Sequence, residues 1–207
     1  FPLGLYRAYK YRMSRTRWRG IRGGQEGSGV AYAFDAFSYS ILSLFTAGLA
    51  IPFMENKLWT RETNNRTFGS GRFHYKAGSL PLYRSYFVMI GCNILGALTF
   101  VLIGSLGSGF TTDPSQFSAG KITLIFFGYI GFLFFAGLGL AVYAHKKLSH
   151  FWGNSEFGPT RFSTVSFRFS GSLSDMVKVY VGNFVLVVIT LGLAFPITQM
   201  RIVHYMA

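Results

Sequence analysis

The sequence GLAIP at residues 48–52 decides the fold, because it returns near the C-terminus as GLAFP at residues 192–196. The two copies are 144 residues apart, and at the same offset the dipeptide GS at 27–28 matches GS at 171–172. Sequence that recurs at a fixed distance usually encodes one supersecondary unit used more than once. We therefore predict a fold built from repeated, membrane-sized units.

Each copy contains the signals that end one helix and begin another. Gly48 and Gly192 suit a helix C-terminus, whereas Pro52 and Pro196 suit the first turn of a following helix. We therefore expect both apolar segments to break at these residues rather than to continue as straight helices.

A second signature places an arginine four residues after an aromatic residue. It occurs at Trp18 and Arg22, at Phe68 and Arg72, and at Phe157 and Arg161. Combined with the proline positions, it divides one membrane domain, 1–207, into repeats at 27–73, 78–162 and 171–207, with 1–26 as the end of an upstream unit. An apolar segment is therefore expected upstream of residue 1.

The composition is that of an integral membrane protein. Only 13% of the 207 residues are charged and the mean hydropathy is +0.34, whereas about a quarter of the residues of soluble domains are charged. The net charge of +13 comes mostly from residues 1–28, 53–85 and 145–175. Such segregation favours a basic cytoplasmic face on anionic lipid. Nucleic acid is not expected as a partner, because many of the aromatic residues lie in the apolar runs rather than on the basic stretches.

Four apolar segments are expected to be membrane helices: 30–50, 86–106, 122–144 and 176–196. The second and third are the clearest spans. The loop between them, 107–120, contains Asp113 but no lysine or arginine, so it is predicted to be translocated. If all four segments crossed, the basic stretches 1–28 and 53–85 would lie on opposite sides. If the two broken segments re-entered, both stretches would face the cytoplasm, which the charge bias favours; both topologies stay open.

Stretches outside these segments have other patterns. Residues 1–29 indicate a helix followed by a glycine-rich turn, and 53–64 an amphipathic helix at the interface. Residues 68–77 and 162–169 alternate like strands and could pair in a small sheet. The predicted fold class is therefore an all-α polytopic membrane protein with broken helices and short interfacial β-strands.

Polar residues inside apolar segments are costly and often functional. The candidates here are Asp35, Asn93, Lys178 and Asn183. At the 144-residue offset Lys178 falls on the neighbour of Asp35, so an ion pair between the repeats is one hypothesis. The other is that each charge lies near a membrane end and reaches the headgroups.

No set of side chains indicates catalysis, a cofactor or a bound metal. The seven acidic residues are scattered, Cys92 is the only cysteine, and His145 and His150 would lie about 140° apart on a helix. The chain is therefore not expected to be an enzyme. Four residues are interpreted instead as anchors in the headgroup region: Trp18, Arg22, Arg72 and Arg161.

Three stretches carry a likeness to a known family: RWRGIR at 17–22, NRTFGSGRF at 65–73 and TLGLAFP at 190–196. In this order they resemble the YjgN family of bacterial inner-membrane proteins, which is classed as a domain of unknown function. The resemblance covers essentially the whole chain. It implies a polytopic inner-membrane protein with repeated units and a longer N-terminus, and it supplies no established catalytic residues.

The expected function is that of a non-enzymatic, multi-pass inner-membrane protein of bacteria. It would be an accessory or structural subunit that packs against other membrane proteins and rests its basic cytoplasmic face on anionic lipid. The alternative is a small-solute or ion transporter or channel, which the broken segments and the polar residues Asp35, Asn93, Lys178 and Asn183 would favour. The sequence identifies neither a substrate nor a partner.

Overall fold

A computed structural model describes residues 2–108, 119–160 and 163–206. The helices are α1 (Pro2–Arg15), α2 (Gly29–Phe45), α3 (Ile51–Asn64), α4 (Leu80–Ser108), α5 (Ala119–Gly153), α6 (Leu173–Ile189) and α7 (Phe195–Met206). The strands are β1 (Arg17–Trp18), β2 (Ile21–Gln25), β3 (Arg66–Phe68), β4 (Gly71–Tyr75), β5 (Ser155–Thr160) and β6 (Ser163–Ser166). The described residues are therefore mostly helical, with one small sheet.

Two helices are long and apolar enough to cross a membrane by length and composition. They are α4, over Leu80–Leu106, and α5, over Ala119–Gly153. The prediction of two clear spans at 86–106 and 122–144 is confirmed to that extent. Residues 109–118 of the loop between them, including Asp113, lie outside the described residues, so its predicted translocation stays a prediction.

The first Gly-Leu-Ala-x-Pro segment forms a tight turn between α2 and α3. Beyond the C-cap Thr46 the chain enters the left-handed region at Ala47 and Gly48, with φ of 49° and 88°. The Gly48 N–H donates to the Ser43 carbonyl at 2.7 Å, which closes a Schellman motif. The Thr46 hydroxyl then accepts the N–H of Ala50 at 3.1 Å. The helix break is therefore held by local hydrogen bonds.

The second segment, between α6 and α7, has the same local structure. Leu191 and Gly192 follow the C-cap Thr190 with φ of 49° and 91°. The Gly192 N–H donates to the Val187 carbonyl at 2.8 Å, and the Thr190 hydroxyl accepts the N–H of Ala194 at 3.0 Å. Each turn thus needs a glycine at the same place, because a side chain is strained at so positive a φ.

The six strands form one antiparallel sheet in the order β1-β2-β3-β4-β5-β6. This corrects the predicted turn after α1, because that stretch is the hairpin β1–β2. The predicted strand at 68–77 is divided into β3 and β4 by a turn, and the one at 162–169 shortens to β6. β5, which was not predicted, lies between β4 and β6.

The sheet explains the spacing between the aromatic residue and the arginine in two of the three pairs, since Phe157 lies inside β5 and Arg161 lies outside the described residues. In the first hairpin Trp18 pairs with Ile21, and Arg22 pairs with Arg17. In the second hairpin Phe68 pairs with Gly71, and Arg72 pairs with Thr67. A two-residue turn separates the strands in both cases, so four residues separate the aromatic residue from the arginine.

The chain divides into two compact units, Phe1–Tyr83 with Leu148–Phe169, and Arg84–Lys147 with Ser170–Ala207. The first unit contains the sheet, and its core consists of Tyr75, Leu82 and Phe151. The Trp59 ring of α3 stacks on Phe151, with ring centroids 4.9 Å apart. Aromatic packing beneath the sheet therefore stabilises this unit.

The second unit contains most of α4 and α5 together with α6 and α7. Small residues bring α4 and α5 together: a Cβ on Gly96 would lie 3.0 Å from the Phe132 carbonyl oxygen, and one on Gly139 would lie 2.8 Å from Cys92 Cβ. Close backbone approach through glycine is the usual way in which helices associate in membranes.

Candidate functional site

One face of the sheet is basic and exposed. Side chains alternate between the two faces of a strand, and directly paired residues share a face. The registers therefore place seven residues on one side, which we call the basic sheet face: Arg17, Arg22, Thr67, Arg72, His74, Glu156 and Ser166. The opposite side carries the buried Gln25, Gly71 and Tyr75. Because the opposite side of the sheet lies against the core, the basic sheet face is left uncovered.

The cations on this face are only partly neutralised. Arg72 Nη2 lies 3.3 Å from Glu26 Oε1, and both side chains are more than half exposed. Arg17 and Arg22 are exposed and form no ion pair within the described part of the chain. An anionic surface that contacted this face would therefore meet arginine side chains whose charge is not already neutralised.

Three of the four predicted headgroup anchors lie in the sheet. Arg22 and Arg72 are on the basic sheet face, and Trp18 lies in β1. Arg161 lies outside the described residues. Arg17 was missed by the sequence analysis, although its position opposite Arg22 follows once the stretch 17–22 is recognised as a two-residue hairpin.

A second polar feature is the groove between α2 and α3, with a volume of about 400 Å³. Arg61 Nη1 lies 2.7 Å from Asp35 Oδ2 inside it, and the two side chains are 38% and 30% exposed. The groove is also lined by Lys57 and Asn64. Arg61 was not predicted as a partner, but Asp35 and Arg61 are both thirteen residues from Gly48. That symmetry about an antiparallel turn was the signal.

The α2–α3 groove combines one ion pair with an additional cation. Its single carboxylate is paired with Arg61, which leaves Lys57 to supply positive charge. Within the described residues no group of three His, Cys, Asp or Glu side chains could hold a metal ion.

Lys178 also has a partner close in sequence. Its ammonium lies 3.1 Å from Asp175 Oδ1 at the exposed start of α6. The Ser172 hydroxyl and then Lys178 lower the pKa of Asp175 by hydrogen bonding to its carboxylate. Asp35 pairs with Arg61 and Lys178 pairs with Asp175, each within its own unit. The ion pair between Asp35 and Lys178 stays a prediction.

The two predicted asparagines differ in burial. Asn93 is half-buried in α4 and donates to the Met89 carbonyl of its own helix at 2.8 Å. Asn183 of α6 is only 7% exposed, and its Nδ2 donates to the Thr198 carbonyl of α7 at 3.3 Å. The Asn183 Oδ1 atom is buried and finds no hydrogen-bond donor within the described residues.

The residues around both helix breaks carry exposed apolar side chains. Phe45 and Leu49 are 85% and 49% exposed at the first, and Leu191 and Leu193 are 88% and 86% exposed at the second. Gly48, Pro52, Gly192 and Pro196 therefore belong to turns whose neighbouring side chains are apolar and exposed.

Comparison with known proteins identifies the family. Neither the curated proteins nor the solved structures contain a match to this chain. The two candidate membrane helices, in a family of bacterial proteins, indicate membrane association. One family model matches residues 1–207, and the chain therefore belongs to the family described as bacterial protein of unknown function (DUF898).

Proposed function

We propose that this chain is a non-enzymatic, multi-pass inner-membrane protein that packs against other membrane proteins and rests its basic sheet face on anionic lipid. The observation that carries the proposal is the combination, in one chain, of an exposed basic sheet face with long helices whose apolar surface is uncovered. An accessory or structural subunit needs both features, whereas an enzyme would need a reactive constellation as well.

The uncovered apolar surface supports the packing role. Only 6% of the most apolar window of α4 and 17% of that of α5 is buried. Lipid tails would cover such surface, and Gly91 and Gly104 of α4, where an added Cβ would meet nothing within 4 Å, also allow a second protein's helices to approach closely. We propose that part of this surface contacts partner subunits.

We propose further that α2 and α6 enter the membrane and return at their turns. Each has 17 residues, or about 25 Å at 1.5 Å per residue, against roughly 30 Å of hydrocarbon. Their exposed apolar tips suit a dip into hydrocarbon, and re-entry would keep the basic stretches 1–28 and 53–85 on the cytoplasmic side. The shared turns at an offset of 144 residues support a duplicated unit, as the likeness to the YjgN family would also imply.

The experiment is native extraction of the full-length protein into lipid nanodiscs, followed by native mass spectrometry. We expect a larger complex with a stoichiometric membrane partner and co-purified anionic lipid. The double variant R22E/R72E should lose most of that lipid, whereas R12E, an equally exposed change on α1 outside the basic sheet face, should retain it. Recovery without any partner, or equal lipid loss in both variants, contradicts the proposal.

The α2–α3 groove favours a second candidate function, transport of a small anionic solute. A partly buried Asp35–Arg61 pair has Lys57 beside it, whose ammonium lies over the Phe53 ring and forms no ion pair within the described residues. Such a site is the kind that a transporter keeps at depth. Reconstituted protein would then conduct solute, and the charge-removing variant R61Q would abolish conduction. A silent reconstituted protein together with a stoichiometric partner leaves the accessory role.

A further inference from the structure

A second cavity, of about 410 Å³, lies within the second unit between α5, α6 and α7. Its lining is almost entirely apolar, with Ala141 and Ala144 from α5, Phe184 and Val187 from α6, and Phe195 from α7. This volume is in the range of small-molecule sites, which are mostly apolar with a few placed polar groups. Its polar side chains are Tyr180, Asn183, Thr198 and Gln199, and among them only Asn183 has a buried atom without a hydrogen-bond partner in the described residues.

The orientation of the Asn183 amide is fixed by the protein. Its Nδ2 faces the Thr198 carbonyl at 3.3 Å, and the reversed amide would bring two acceptor oxygens together. Oδ1 is therefore the atom for which the described residues supply no donor. The nearby hydroxyls do not satisfy it, because Tyr180 donates to the Phe134 carbonyl at 2.8 Å and Thr198 donates to the Phe195 carbonyl at 2.8 Å.

An orphan acceptor is costly in apolar surroundings, since its lost interaction with water is not replaced. The Asn183 residue is only 7% exposed, and it lines the cavity. A group that enters the cavity and donates one hydrogen bond would remove this cost.

We propose that the cavity between α5, α6 and α7 binds a membrane lipid through its apolar chain and one hydroxyl group, which donates to Asn183 Oδ1. The apolar lining selects the chain, and the buried, unpaired Asn183 oxygen selects the hydroxyl. Neither interaction requires charge, so the ligand is neutral at this position. The inference does not depend on whether the protein is an accessory subunit or a transporter.

Gly137 helps to shape the cavity. A Cβ at this position would overlap the Tyr180 hydroxyl, so only glycine lets Tyr180 reach the α5 backbone carbonyls. Tyr180 thereby closes one side and keeps its own donor away from Asn183. The Asn183 Oδ1 atom therefore stays available to accept a hydrogen bond from a ligand.

The test uses full-length protein in detergent micelles, with a long-chain alcohol that carries a diazirine and its methyl ether as the matched probe. Photolabelling followed by peptide mapping should place the alcohol on residues 137–144 and 180–187. The ether should bind about fivefold more weakly, because it lacks the donor worth roughly one neutral hydrogen bond.

Two variants and one control decide the result. N183L should bring the alcohol down to the affinity of the ether, and A144F should abolish labelling by filling the cavity. V185F, at an exposed position of α6 outside the lining, should label as the wild type does. Equal binding of alcohol and ether to the wild type, or equal labelling of A144F and V185F, overturns the proposal, and N183L keeps the test valid if A144F does not fold.

Discussion

The pair α2–α3 and the pair α6–α7 have the same backbone turn but line their grooves with different chemistry. The turns match residue by residue in φ and in hydrogen bonds, down to the threonine hydroxyl that accepts an N–H four residues later. In the first groove Asp35 and Arg61 form an ion pair. The positions 144 residues later are Val179 and Tyr205. Local hydrogen bonding thus determines the turn, while the groove is free to change.

Both pairs nevertheless hold their helices together at the end away from the turn. Arg61 does so through Asp35, whereas Tyr205 donates its hydroxyl to the Ser172 carbonyl at 3.0 Å. The position five residues after each proline also stays cationic, as Lys57 in the first pair and Arg201 in the second. The difference shows that each pair needs a side-chain interaction that joins its two helices at this end. Only the first pair uses charge for it.

Removing the threonine hydroxyl should have the largest effect and should be the same in both turns. T46V and T190V leave the N–H groups of the buried Ala50 and Ala194 without an acceptor. We expect each to lower the free energy of unfolding by about 2 kcal/mol. Titration of the protein with SDS, followed by tryptophan fluorescence, measures the loss.

T46S and T190S are the matched controls, because serine retains the hydroxyl, and they should stay close to the wild type. A large loss in one turn and none in the other would show that the second is held by its surroundings and not by the local hydrogen bonds. The equivalence of the two turns would then be broken.

Local signals made part of this molecule predictable from sequence. Glycine, proline and threonine act within a few residues, so the break at Gly48 and Pro52 and the helix α3 could be read directly. Length and hydropathy were enough for the two candidate spans in α4 and α5.

The parts that depend on contacts distant in sequence were not predictable. β1 has two residues and β2 contains two adjacent glycines, so neither shows the alternation that marks a strand. Their pairing stabilises them only when β3 lies alongside. Likewise, sequence identified Asn183 as polar, but its orphan oxygen depends on how α5, α6 and α7 pack.

Converting the first groove to the chemistry of the second tests whether the ion pair serves only to hold α2 and α3 together. D35V leaves the half-buried Arg61 without a partner, and we expect a loss of about 1 kcal/mol, given that both side chains are partly exposed. The double variant D35V/R61Y should lose less than the sum of the two single changes, because the unpaired cation is gone.

The double-mutant cycle is measured by the same SDS titration, with K57Q as a control that removes a cation from the groove without breaking the pair. Additive losses would mean that Asp35 and Arg61 do not act together. A stable double variant that has lost solute conduction would instead assign the pair to transport.

The smallest expected effect comes from glycine substitutions in the two turns, and it tests whether the surroundings of the turns differ. Ala47 and Leu191 both have φ of 49°, where a residue with a side chain is strained. A47G should therefore raise the free energy of unfolding by about 0.5 kcal/mol, after the extra flexibility that glycine gives to the unfolded chain is subtracted.

L191G relieves the same strain but also removes a leucine side chain that is 88% exposed. If the tip lies in hydrocarbon, the lost insertion energy of about 0.5 kcal/mol cancels the gain and L191G should equal the wild type in nanodiscs. If the tip lies in water, nothing offsets the relief and L191G should be stabilised as much as A47G. An equal gain in both variants would therefore contradict re-entry of the α6–α7 turn, because a leucine buried in lipid cannot be removed without cost.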